Sequence, residues 1–139
     1  MSQLESNKAF VRKVIETCWV SAETLELLTD YVTEDYIHHT PAGDTNLDGF
    51  KRGASFLFNA FPDMRYTFLH LIAEGDMVAA YLKYSGTHLG QFGPFAPTGK
   101  IIPGLGTYYC RIADGKIAED WDIWSTQPIY DQTLARLQS

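Results

Sequence analysis

Two carboxylates suited to acid–base chemistry stand near the end of the chain, at Asp120 and Asp122. Side chains two residues apart on a strand point the same way, so both share a face with Trp124, and Trp121 lies on the other face. If this face lines an apolar cavity, burial raises the pKa of Asp122 and makes it a general base or acid near neutral pH. If it faces water, both aspartates are solvated and Trp121 lies in the core. The alternation is compatible with both interpretations.

Tyr108 lies on the preceding strand, and its position relative to Asp122 depends on the hairpin loop. A three-residue loop from Ala113 to Gly115 places Tyr108 diagonal to Asp122 on the same face. A two-residue loop places it on the opposite face. The Asp-Gly pair is compatible with either loop.

Histidines are the next candidates. His38 and His39 are adjacent, so on a strand they point to opposite faces, and one of them can enter a cavity. Adjacent histidines rarely bind one metal, and no Asp, Glu or His stands at ligand spacing, so we expect no metal site. His88 follows a strand, where a structural hydrogen bond and a catalytic role are equally compatible with its position. His70 is expected on a strand face.

Composition and charge narrow the class of protein. A length of 139 residues predicts a single domain, residues 1–139. The net charge of −6 and the lack of a basic run argue against nucleic acid. The aromatic content of 14% suits a packed core or an apolar ligand cavity. The polar N-terminus and the lack of a long apolar segment predict a cytoplasmic protein without a membrane span. Cys18 and Cys110 are expected to be buried free thiols.

The elements that must position these groups begin with helices and continue with strands. Apolar spacing predicts helices over residues 5–19, from Ser21 with Val32 at the end of its apolar side, and over residues 47–60. Gly53, inside the third helix, is expected at a close contact between helix and sheet. Alternation predicts strands at Tyr36–Pro41, 64–73, 77–88, 100–112 and 116–124, then a short helix from Thr126. This order indicates an α+β fold with helices laid across a curved sheet.

Short motifs follow one another in a specific order over nearly the whole chain. They are Tyr36–Pro41 with His39, Gly49, Phe61-Pro62-Asp63, Glu74-Gly75-Asp76, Gly86-Thr87-His88, Pro97-Thr98-Gly99, Arg111, Asp114-Gly115-Lys116 and Glu119-x-Trp121. With this set the chain resembles the SnoaL-like polyketide cyclase family, within the nuclear-transport-factor-2-like superfamily. The resemblance implies a cone-shaped α+β barrel, in which a curved, mostly antiparallel sheet wraps around the N-terminal helices. It also implies an apolar cavity and a homodimer.

Members of that family close a ring in a polyketide ester by an intramolecular aldol reaction, without cofactor or metal. The resemblance assigns Asp122 as the aspartate that removes a proton between carbonyls and returns one to the new alkoxide. The family's assisting histidine falls at Tyr108, whose hydroxyl can hydrogen-bond an enolate oxygen. Trp19 and His38 fall at cavity positions. The expected site therefore has the catalytic residues Asp122, Tyr108 and His39, and the substrate-binding residues Trp19, His38, Phe58, Phe61, His88 and Trp124.

Three functions are compatible with these residues. The leading hypothesis is a cofactor-free acid–base enzyme, cyclase-like, acting on an apolar carbonyl-bearing small molecule. The second is a non-catalytic small-molecule-binding protein, because the assisting histidine is lost and this fold also hosts binders. The third is an isomerase or dehydratase, which differs from the first only in its substrate.

Overall fold

The computed structural model of the protein describes residues 1–125. Its helices are α1 (Gln3–Cys18), a 3₁₀ helix (Thr24–Asp30) and α2 (Leu47–Ala60). Its strands are β1 (Val32–Thr40), β2 (Gly43–Thr45), β3 (Arg65–Glu74), β4 (Met77–Thr87), β5 (Ile101–Ala113) and β6 (Lys116–Trp124). The helix predicted from Thr126 lies outside the described residues. None of the helices in residues 1–125 is long and apolar enough to span a lipid bilayer.

These strands form one curved sheet in the order β2–β1–β6–β5–β4–β3. All neighbouring strands are antiparallel except β1 and β6, which run parallel. Helix α1 packs on β3 and β4, and α2 on β1 and β2, so the core fills the concave side, here called the inner face. This arrangement confirms the predicted α+β fold with a mostly antiparallel sheet.

Local side-chain chemistry explains where both α-helices begin. The Ser2 hydroxyl accepts a hydrogen bond from the Glu5 amide at 3.1 Å, and the Asn46 side chain accepts one from the Gly49 amide at 3.0 Å. Each contact satisfies a backbone donor that a first helical turn leaves without a partner. The apolar stripes behind these caps then enter the core. Cys18 on α1 and Cys110 on β5 are buried free thiols, as predicted.

Several local predictions are wrong in this region. The segment after Ser21 is a 3₁₀ helix, and Val32 belongs to β1 instead of the helix. The Thr24 hydroxyl bonds the carbonyls of Cys18 and Ser21 at 2.8 and 3.0 Å, which tightens this turn. Strand β1 therefore begins earlier than predicted, and it is followed by a short strand that was not predicted, β2 (Gly43–Thr45).

The β5–β6 hairpin decides which face carries the aspartates. Its loop has two residues, Asp114 and Gly115, with φ of 53° and 73°. Both lie in the left-handed region that a type I′ turn requires. The expectation that a two-residue loop separates Tyr108 from Asp122 is nevertheless wrong. The register shifts by one residue on β6 next to Ala118, and this β-bulge pairs Tyr108 directly with Asp122.

Candidate active site

Both aspartates lie on the inner face of the sheet. Asp120 is 2% exposed, and the Asp122 side chain is 17% exposed. Trp121 lies on the opposite side, here called the outer face, and stacks on Tyr109 with ring centroids 4.8 Å apart. Of the two arrangements compatible with the alternation, the structure therefore has the one with buried aspartates.

Asp122 forms part of the wall of a cavity of about 230 Å³ between α2 and the inner face. Most of the lining is apolar or aromatic, and it includes Trp19, Phe50, Phe58, Tyr66 and Trp124. His38 also lines this cavity. The expected cavity positions Trp19, His38, Phe58 and Trp124 are thus brought together around Asp122.

Gly53 stands at the exposed edge of the same lining, which we call the cavity mouth. A Cβ atom built on Gly53 meets no atom within 4 Å. The predicted close contact between helix and sheet at Gly53 is therefore wrong, because this glycine faces open space instead of a strand.

The surroundings of Asp122 favour its neutral form. Burial is the largest influence and raises the pKa of the carboxyl above its ordinary value, and the nearby charge of Asp120 acts in the same direction. Hydrogen bonding from Trp124 and the charge of His38 oppose the shift without reversing it. A carboxyl with a raised pKa in an apolar cavity is suited to exchange protons with a carbon acid.

Asp120, one step deeper, is held by three donors. Its Oδ1 lies 2.6 Å from His38 Nδ1, and its Oδ2 accepts hydrogen bonds from the hydroxyls of Tyr36 at 2.7 Å and Tyr108 at 2.8 Å. Because an ionised carboxylate only accepts, we assign the proton of this imidazole contact to Nδ1. The parallel pairing of β1 with β6 sets His38 beside Asp120, and Tyr36 shares their face because it lies two residues from His38.

This contact fixes the direction of the other imidazole nitrogen. His38 Nε2 lies 3.8 Å from the Oδ1 atom of Asp122, on the cavity side. Burial alone would lower the pKa of His38, but the hydrogen bond to Asp120 and the charges of Asp120 and Asp122 raise it overall. The site therefore contains a carboxylate–imidazole–carboxylate series, in which His38 and Asp122 line the cavity and Asp120 lies behind them.

The Tyr108 hydroxyl contacts Asp120 and does not line the cavity. It is 2% exposed, and its ring packs edge-on against Trp19 at 4.8 Å. Burial, followed by the charge of Asp120, holds the pKa of Tyr108 well above its usual value, so the phenol stays a protonated donor. Its hydroxyl, expected to face a substrate oxygen, is directed at Asp120.

His39 is turned away from the cavity. Strand alternation places it on the outer face, where Nδ1 lies 2.7 Å from Asp44 Oδ1 and Nε2 lies 3.0 Å from Glu119 Oε1. Its ring stacks on Trp121 at 4.6 Å. The structure therefore does not bring His39 together with Asp122.

His88 and Phe61 pack on each other with ring centroids 5.2 Å apart, outside the set of residues that line the cavity. His88 is fully buried, and its Nδ1 lies 3.2 Å from the Thr98 hydroxyl. Its backbone bonds Gly99 and Lys100, so it ties the end of β4 to the start of β5. Both residues thus support the fold next to the site without facing Asp122.

Sequence reasoning missed the role of Tyr36 and of the buried carboxylate of Asp120. A signal existed, because Tyr36 and His38 are two apart and must share a strand face. No pattern in the sequence indicates that β6 lies beside Tyr36, since Tyr36 and Asp120 are separated by 84 positions. Within residues 1–125, His, Cys, Asp and Glu form no cluster of three or more arranged to hold a metal ion.

Comparisons with known protein families and solved structures point to one family. The family model described as SnoaL-like polyketide cyclase matches residues 9–133. AclR from Streptomyces galilaeus, provisionally described as a hydroxylase, superposes with a TM-score of 0.86 at 23% identity over 94% of this chain and 82% of its own. IdmH from Streptomyces antibioticus, provisionally described as a polyketide cyclase, gives 0.77 at 24% over 99% and 100%. A Bacillus cereus protein with the same provisional description gives 0.73 at 27% over 97% and 85%. A search of curated sequences finds no significant match.

Proposed function

The chain belongs to the SnoaL-like polyketide cyclase family, and from this premise we propose that it is a cofactor-free acid–base enzyme. Its reaction is the intramolecular aldol closure of a ring in an apolar, carbonyl-bearing small molecule. The observation that carries the proposal is the half-buried Asp122 carboxylate in the wall of a largely aromatic cavity, next to an imidazole. Family membership alone supports only a cyclase-like role.

The mechanism begins with proton abstraction. The Asp122 carboxylate takes the acidic proton from the carbon between two carbonyls, and the resulting enolate carbon attacks a third carbonyl of the same molecule. The oxygen of that carbonyl becomes an alkoxide, which is then protonated. General acid–base catalysis of this kind contributes roughly 10²–10⁴-fold. The aromatic walls add positioning of the two reacting carbons.

The size of the cavity restricts the substrate. At about 230 Å³ it is smaller than typical ligand pockets of about 300–1,000 Å³. We propose that it encloses the ring being closed, and that the rest of a larger substrate extends through the mouth at Gly53.

The test compares Asp122→Asn with Asp114→Asn. The control makes the same chemical change in the β5–β6 turn, where asparagine suits the left-handed backbone of Asp114. The substrates are methyl β-keto esters whose chain carries a further ketone or aldehyde carbonyl. Loss of at least about 100-fold in kcat/KM for Asp122→Asn alone, with unchanged circular dichroism, is the expected result. Full activity of Asp122→Asn contradicts the assignment.

A non-catalytic binding protein is the second candidate function. It is favoured by one observation: the tyrosine at the family's histidine position directs its hydroxyl at Asp120 instead of the cavity. Mass spectrometry of the purified protein after mild denaturation tests it. A bound small molecule that is released unchanged, together with no turnover of any carbonyl substrate, supports the binder. Turnover without a new ring would identify an isomerase or dehydratase.

We also propose a homodimer formed through the outer face. Tyr109, Leu105 and Ile123 there are 41%, 43% and 69% exposed, which leaves an apolar and aromatic surface in water. Ile123→Glu is expected to shift the sedimentation coefficient to that of a monomer. Leu27→Glu, at another exposed apolar residue on the 3₁₀ helix, is the control and leaves it unchanged. An unchanged Ile123→Glu dimer refutes this interface.

A further inference from the structure

His38 occupies the position of a second proton-transfer group in the cavity. We infer that His38 is the general acid of the ring closure and Asp122 its base, with Asp120 as the positioning residue of the imidazole. The inference rests on the proposed function. It assigns the two proton transfers, which were both expected of Asp122, to side chains on two neighbouring strands.

The geometry separates the two imidazole nitrogens. Nδ1 is committed to Asp120 Oδ1 at 2.6 Å, so Nε2 is the nitrogen available to the cavity. The 3.8 Å between Nε2 and Asp122 Oδ1 is too long for a hydrogen bond, although a small side-chain movement would close it. A substrate oxygen that enters between α2 and β6 can therefore accept the Nε2 proton, and Asp122 stays close enough to return one.

Three strands keep this imidazole in place. Tyr36 on β1 and Tyr108 on β5 both donate to Oδ2 of Asp120, which leaves Oδ1 facing His38. From α2, the Phe50 ring packs edge-on against the imidazole at 4.8 Å. Hydrogen bonds to one carboxylate from three sides give its partner a defined orientation.

The charges around His38 favour an imidazolium. Negative charge comes from β6, and the opposing influences are burial and the neighbouring His39. The balance raises the pKa of His38, which favours the protonated imidazolium form. The titratable groups that face the His38–Asp122 pair are Asp120 on β6, Tyr36 on β1, Tyr108 and Cys110 on β5, and Tyr66 on β3. His39 acts on His38 from the outer face of the sheet.

The proton and electron balance closes within these two side chains. Asp122 takes the carbon-bound proton, and the electron pair of that C–H bond forms the enolate. The enolate carbon makes the new C–C bond while the C=O π electrons of the attacked carbonyl become an alkoxide. That alkoxide takes the Nε2 proton of His38. Asp122 then passes its proton to the neutral imidazole, which restores both groups, and the product is an isomer of the substrate.

The division also accounts for Tyr108. An imidazole at that position would lack the hydroxyl that now donates to Asp120 Oδ2 at 2.8 Å. With tyrosine there, Asp120 has three hydrogen-bond partners, one of which is the imidazole of the adjacent strand. His38 on β1 thus supplies the acid that the family's histidine would supply from β5.

The first experiment separates the two proton transfers. The probe is a methyl β-keto ester with an aldehyde at the far end of its chain, placed to close a cyclohexanone ring. Deuterium exchange from solvent at the acidic carbon reports the base, and formation of the ring reports base and acid together. We expect His38→Gln to keep exchange within about tenfold of the wild type but to lose ring closure by a further factor of about 100. His70→Gln, the same change at an exposed histidine, should affect neither rate.

The outcomes are distinguishable. A wild type that exchanges no deuterium and closes no ring refutes the proposed function, and the acid role of His38 with it. A wild type that does both, with His38→Gln losing ring closure no more than exchange, refutes only the role of His38.

A second measurement tests the positioning by Asp120 without using activity. Long-range ¹H–¹⁵N spectra of the imidazoles are expected to show His38 protonated at Nδ1 in its neutral form. Asp120→Asn should lower the pKa of His38, because it removes the negative charge beside Nδ1. A neutral His38 that carries its proton on Nε2, or a titration unchanged in Asp120→Asn, overturns the inference. His39, which is bonded on the outer face, serves as the internal reference.

Discussion

Two glycines one turn apart in α2 should respond in opposite directions to the same substitution. The Cβ of an alanine at Gly53 meets no atom within 4 Å, whereas at Gly49 it would lie 1.8 Å from Oγ1 and 2.8 Å from Cβ of Thr45. Glycine in a helix interior costs about 1 kcal/mol relative to alanine. Gly53→Ala should therefore recover most of that free energy, because the new methyl group enters the cavity mouth without a clash.

The magnitude at Gly49 follows from the contact that it breaks. Gly49 lies in the first turn of α2, where alanine gains less than in the helix interior, and the whole Thr45 side chain and the adjoining end of β2 must move. Overpacking of this kind costs typically about 1–3 kcal/mol. We therefore expect Gly53→Ala to raise the free energy of unfolding by about 0.5–1 kcal/mol and Gly49→Ala to lower it by about 1 kcal/mol.

Urea unfolding followed by tryptophan fluorescence measures both values. The midpoint should move up for Gly53→Ala and down for Gly49→Ala at a constant m-value, with changes in Tm of roughly 2–5 °C. A Gly53→Ala protein less stable than the wild type refutes the reasoning, since its Cβ would then meet something at the mouth. Gly53→Leu extends the test: it keeps the helical gain but covers the mouth, so kcat/KM for the keto ester should fall while stability does not.

Three further predictions concern buried residues. The folded protein holds the Asp122 proton more tightly than the unfolded chain, so ionised Asp122 destabilises the fold at pH values above the ordinary aspartate pKa. Asp122→Asn should therefore stabilise the protein at pH 7 and lose that gain below about pH 4, which urea midpoints measured across this pH range will show. Burial raises the pKa values of Cys18 and Cys110 to about 11 and about 12, so neither thiol should react with Ellman's reagent at pH 8 until urea is added. Gly106→Ala places a Cβ 1.9 Å from the Trp124 ring, which should displace that ring, cost about 1–3 kcal/mol and change the tryptophan emission.

Features that depend on nearby residues were predictable from the sequence. Helices α1 and α2 follow from apolar spacing, and the β3–β4 and β5–β6 hairpins follow from Gly75 and Asp114-Gly115 at their turns. The family resemblance added the sheet and a cavity with Asp122. The bulge next to Ala118 was not predictable, because alternation alone gives no sign of an extra residue. That single residue places Tyr108 and Asp122 on the same face.

The buried carboxylate of Asp120 shows why the remainder of the site required the fold. Burying a charged group is costly unless hydrogen bonds satisfy it, so an aspartate on a strand is expected in water by default. Here the three donors come from β1 and β5, and His38 is 82 positions away along the chain. Only the parallel pairing of β1 with β6 brings that imidazole to Asp120, and parallel pairing leaves no turn in the sequence to reveal it. Assigning roles to single positions by resemblance to the family shows that a histidine is missing at Tyr108. It does not show that an imidazole stands on the neighbouring strand. On the proposal that His38 is the acid, strand register decides whether a chain of this fold keeps that group, and the register must be known before a missing residue is taken as a missing function.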